Sequence, residues 1–164
     1  MYHKLNDYIK ASGDLAVKLY KEDIEAALRT KDFGGFELLS LSDYTGQSTA
    51  TVGILDVFYE SKGLISPDEF KNFAGEAVPL FKAKRIFKNT DTLEAELDLY
   101  DFGEKKINNP VYNLTVQNGE QVFYKTSTTE SKVSIPLNSI TKSTMLSVIL
   151  EVNGYKNTWR IFVF

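Results

Sequence analysis

The chain has 164 residues, 43% of them hydrophobic, which is enough for one good domain or a small domain with an appendage. Its 22 acidic and 19 basic residues leave a formal charge of −3, which argues against nucleic acid or an anionic membrane as partner, because either favours a basic patch. Cysteine is absent, excluding a disulfide, a thiolate metal site and a cysteine nucleophile; no run approaches membrane-spanning length, and Met1 to Tyr8 lacks the apolar core of a signal peptide.

From about Asn6 to Lys31 the apolar residues fall at helical spacing. Leu5, Tyr8, Ile9, Leu15, Ala16, Leu19, Ile24, Ala27 and Leu28 trace a stripe with one slip at Ser12-Gly13. A kink or a division of the helix is expected there, with Ser12 or Asp14 capping the second half. Glu22, Asp23 and Glu25 read as solvated charges, paired with Lys18, Lys21 and Arg29 at three- and four-residue spacing. His3 stands alone near a terminus and makes no site.

Thr30 to Gly35 is a connector rich in helix-stopping residues. Phe36 to Leu41 is a short, nearly continuous apolar run, the pattern of a strand buried on both faces. A polar loop follows, Asp43-Tyr44-Thr45-Gly46-Gln47. Thr49 to Tyr59 fits a buried helix or an irregular apolar segment equally well. At Ser66-Pro67-Asp68-Glu69 a capping residue, a proline at the first helical position and a glutamate three residues on predict a helix, ending near Gly75.

Beyond Gly75 the period changes to two. Strands are predicted at Val78–Phe81, Ile86-Phe87, Leu93–Phe102, Asn109–Val116, Gln121–Ser127, Lys132–Pro136, Met145–Val152 and Tyr155–Phe164. Asn118-Gly119 and Asn153-Gly154 are hairpin signals, the second joining Leu146, Val148, Leu150 and Val152 to Trp159, Ile161 and Val163. Glu94, Glu96 and Asp98 project from one face of a strand. Pairing with Lys82, Lys84 or Lys88 across the sheet is favoured over a metal site. Tyr112, Tyr124, Tyr155 and Trp159 suit either a carbohydrate-stacking platform or the core, and Trp159 falls on the inward face.

Helix, buried strand and polar loop in that order have the layout of one unit of a β/α barrel. Residues from about Ser12 to Phe73 resemble the last part of the catalytic barrel of glycoside hydrolase family 2, the β-galactosidase-like enzymes. The resemblance is carried by Tyr20-Lys21-Glu22-Asp23-Ile24-Glu25-Ala26-Ala27-Leu28-Arg29-Thr30, Gly35-Phe36-Glu37-Leu38-Leu39, Asp43-Tyr44-Thr45-Gly46-Gln47, Val52-Gly53-Ile54-Leu55-Asp56 and Ser61-Lys62-Gly63. From about Ala77 the likeness is one of position and type, a β-sandwich following the barrel.

The resemblance implies an α+β chain: residues 1–75 as the helical, single-strand remnant of a β/α barrel, and residues 76–164 as an immunoglobulin-like antiparallel β-sandwich. It implies a parent enzyme acting on β-linked glycosides with retention, in a family whose members of this type are often exported to the periplasm or beyond. Its two catalytic glutamates lie on earlier barrel strands, so this chain alone is expected to hold no catalytic pair, no cofactor and no metal. Asp43, Tyr44 and Gln47 are the candidate carbohydrate-binding residues, by hydrogen bonds to sugar hydroxyls or stacking on a sugar face. The competing reading has Asp43 and Gln47 satisfying the loop's own backbone. Phe36, Leu38, Leu39 and Leu41 are expected to need a cover outside a barrel, so the isolated chain is expected to form a homodimer. An alternative of a different class is a non-catalytic sandwich module that binds glycan or protein.

Overall fold

The computed structural model describes residues 2–47 and 52–164. The fold is α+β, with a long helix and two β-sheets, and divides into two compact units meeting between Phe73 and Ala74.

In the first unit, α1 (Tyr2–Arg29) is continuous across Ser12-Gly13. The expected division does not occur; a side chain at Gly13 would collide with Leu64, so the glycine marks a close approach of a neighbouring segment. Glu25 is also not solvated. It is buried with Ile24 and Leu28, and Lys21 and Arg29, one helical turn away on either side, both pair with its carboxylate. For Glu25 the expected pairing is therefore present, but it surrounds a buried anion.

Phe36 to Leu41 does not form the expected strand. An apolar run becomes a strand only where neighbours supply backbone hydrogen bonds. Here the pairing next to the run is one parallel bridge, Ser42 with Leu55, in which Leu55 N donates to Leu41 O at 3.0 Å. Leu39 is 93% exposed, and Phe36 and Leu41 are also exposed. The described part of Thr49 to Tyr59 is irregular; Ser48 to Thr51 lie outside the described residues.

Asp56 ends that stretch in a tight turn, its Oδ1 accepting from Phe58 N at 2.8 Å and Glu60 N at 2.9 Å. Helix α2 (Pro67–Ala74) starts on the expected capping box: Ser66 N donates to Glu69 Oε2 at 3.0 Å and Glu69 N to Ser66 Oγ at 3.2 Å.

The second unit holds β1 (Ala77–Lys82), β2 (Ile86–Phe87), β3 (Thr92–Asp101), β4 (Tyr112–Asn118), β5 (Gln121–Thr128), β6 (Lys132–Pro136), β7 (Thr144–Val152) and β8 (Tyr155–Val163). They form a three-stranded sheet, β1-β3-β6, and a five-stranded sheet, β2-β8-β7-β4-β5. Alternate residues of both sheets, among them Phe81, Leu97, Ile135, Leu114, Val148 and Trp159, share one apolar core. The sandwich is not wholly antiparallel, because β2 pairs in parallel with β8.

The β7–β8 turn is the expected one, with positive φ at both Asn153 (51°) and Gly154 (88°), as a type I′ hairpin requires. The β4–β5 turn is shifted by one residue: Asn118 pairs with Gln121, so the central residues are Gly119 and Glu120. Gly119, at φ 56°, takes the first central position, the place where a type II′ turn needs glycine. Asn157, buried on β8, joins the sheets by donating from Nδ2 to Pro79 O at 3.0 Å.

Candidate functional site

The polar residues of the first unit converge on the loop that follows Leu41. Asp43 N donates to Leu55 O at 3.0 Å, which lays the loop along residues 53–55. The Asp43 side chain then reaches the same segment, Oδ1 accepting from Gly53 N at 2.8 Å. Lys62 completes the knot from the far side. Its ammonium donates to Asp43 Oδ1 at 2.7 Å and to Gly53 O at 2.9 Å. Three stretches, each nine or ten residues from the next, are thereby tied through one carboxylate and one ammonium.

Both charged groups are largely withdrawn from water, with side-chain exposures of 9% for Asp43 and 24% for Lys62. The hydrogen bond from Lys62 holds the Asp43 carboxyl below its ordinary range, with the Gly53 amide and the Lys62 charge acting in the same direction against burial. Gly53 itself admits no side chain. A methyl there would fall 2.5 Å from Asp43 N and 2.7 Å from Leu55 O.

Helix α1 supports the knot through Tyr20, whose hydroxyl lies 3.3 Å from Ser40 O and 3.1 Å from Val52 O. Burial raises the Tyr20 phenol, and the negative charge of Asp43 raises it further. Alongside runs an open groove of about 730 Å3, lined by Ser12, Gly13 and Ala16 of α1 and by Gly53, Lys62 and Leu64.

The three residues singled out from sequence have different surroundings. Asp43 is engaged with Gly53 and Lys62, a cross-link between segments rather than the local turn of the competing reading. Tyr44 is exposed, its ring lying over Gly46, where a side chain would collide with it. Gln47 ends a single 3₁₀ turn, Thr45–Gln47. Lys62, Gly53 and Tyr20 were not singled out, although each lies in a stretch that carries the resemblance. The Asp43–Lys62 pair spans 19 residues through irregular backbone, so no helical or strand period announces it.

In the second unit, the carboxylates of β3 form ordinary sheet contacts. Lys82 pairs with Glu96 at 3.2 Å, and Glu94 accepts from Ser134 Oγ at 2.7 Å. Among the described residues no group of three or more His, Asp or Glu is arranged to hold a metal ion. Trp159 and Tyr112 are buried, and the Trp159 ring packs on Phe81 with centroids 5.3 Å apart. Tyr155 is half-buried and donates to Glu76 Oε1 at 2.5 Å.

Residues 91–164 match the profile of a domain of unknown function, DUF8488. The matched stretch covers β3 to β8. No curated protein matches the chain.

Proposed function

We propose that this chain is the carboxyl-terminal part of a glycoside hydrolase family 2 protein, β-galactosidase-like, and that on its own it turns over no substrate. The observation that supports this most is the Asp43–Gly53–Lys62 knot. It brings together the Asp43–Gln47, Val52–Asp56 and Ser61–Gly63 stretches, three of the pieces on which the resemblance rests. A loop pinned in this way presents Tyr44 outward from a fixed base, and an exposed aromatic is a means of stacking on a sugar ring. In the complete enzyme the loop forms one wall of a site for β-linked glycosides, with the catalytic carboxylates supplied by earlier barrel strands.

The sandwich takes the scaffold role and the immunoglobulin-like type. Its first two strands divide between the sheets, β1 beside β3 and β2 in parallel beside β8, an arrangement that suits that type. The alternative, a non-catalytic sandwich module that binds glycan or protein, loses support on the glycan side, because Trp159 and Tyr112 are packed in the core.

Outside the complete enzyme, the isolated chain self-associates. Phe36, Leu39 and Leu41 are exposed, and so are Leu5, Tyr8, Ile9, Leu15 and Leu19 of α1. The hydrolytic part of the reading is tested by incubating the purified chain with aryl β-glycosides. No release above the uncatalysed rate is expected; turnover that survives repurification would overturn it.

A further inference from the structure

Helix α1 has apolar side chains on two faces. Ile24 and Leu28 are buried and Tyr20 half-buried on one face. On another, Leu5, Tyr8, Leu15 and Leu19 are exposed by 52%, 69%, 56% and 56%. With Ser12 they follow one another at steps of three and four residues, the spacing that keeps side chains on the seam between two nearly parallel helices. Glu22 takes the next position and closes the stripe.

We propose that α1 pairs in parallel with the α1 of a second copy of this chain, through Leu5, Tyr8, Leu15 and Leu19. A second copy is the occupant because the charges beside the seam match themselves. Lys18 and Asp23 are both exposed and flank the seam five residues apart. That is the offset at which parallel helices bring flanking side chains of the two copies together. Parallel pairing thus sets each Lys18 beside the partner's Asp23, twice over. An antiparallel pair sets Lys18 against Ala11 instead and loses the match.

A free peptide with so short a seam would gain too little to order its helix. Here the carboxyl-terminal part of α1 is anchored by Ile24 and Leu28, and Leu64 lies close against Gly13, so association has less of the ordering to supply. The inference rests on the self-association reading above and is independent of the glycosidase reading.

Sedimentation equilibrium of the full chain tests it, with a mass of twice 18.5 kDa expected. Leu15→Glu together with Leu19→Glu should weaken the dimer by roughly 100-fold while leaving the circular dichroism spectrum unchanged. Because the chain has no cysteine, Leu5→Cys introduces a single thiol. Mild oxidation should then yield a disulfide-linked dimer, since parallel helices bring the two positions within about 7 Å and antiparallel ones hold them roughly 20 Å apart. A clean monomer at high concentration would overturn both self-association and the seam. A dimer that survives the paired glutamates and forms no disulfide would overturn the seam alone, and would move the contact to residues 36–41.

Discussion

Lys62 joins Asp43 to Gly53 through one ammonium group, and the pH dependence of the first unit should report it. The Asp43 carboxyl is lowered in the folded state, so its contribution is fully present above the unfolded value of about 3.9 and disappears as pH falls through the lower folded value. Asp101 and Glu69 act in the same direction: Asp101 accepts from Ile107 N and Gly103 N, and Glu69 from Ser66. Asp43→Asn should therefore lower stability at pH 7 and flatten the acid limb of unfolding below about pH 5. Lys62→Met should do the same, since it removes the main cause of the shift. An unchanged acid limb in both variants would show that the pair contributes nothing to folding.

At the scale of elements, α1 shows how a charge pattern can be read correctly and its burial missed. The spacing of Lys21, Glu25 and Arg29 announces pairing, and the pairs form. The same spacing cannot tell an exposed pair from one whose anion is buried, because burial depends on what packs against the helix. The distinction has consequences. Replacing Lys21 and Arg29 together by Met removes both cationic partners of a buried carboxylate and should cost about 3–5 kcal/mol in denaturant unfolding. Adding Glu25→Met to that pair should restore most of the loss; a triple variant as unstable as the double would contradict the account.

Elements governed by local chemistry were legible to within a residue or two. The capping box at Ser66 and Glu69, the Asn153-Gly154 turn and the alternation along β7 and β8 each carry their own signal. Phe36 to Leu41 was not legible, because its pattern records a need for neighbours on both sides that the described residues do not supply. The knot was half legible. Asp43 and Tyr44 stand out in a loop, whereas Lys62 and Gly53 acquire their roles only when an irregular chain doubles back on itself.

At the scale of the molecule the two units differ in how completely they cover their apolar side chains. The sandwich encloses a continuous core drawn from both of its sheets. The first unit leaves Leu39, Tyr44, Phe58 and the outer face of α1 in water. Apolar surface of that extent calls for a cover, which the proposed barrel would supply in the complete enzyme. The profile match falls entirely in the sandwich, so the barrel reading rests on the first unit alone.

The most direct test is the size and activity of the native polypeptide, detected in its source cell with an antibody raised against this chain. A product several times larger than 18.5 kDa that hydrolyses aryl β-glycosides once purified is expected. A native product of 18.5 kDa without hydrolytic activity would contradict it, and binding by a free-standing protein would become the leading function.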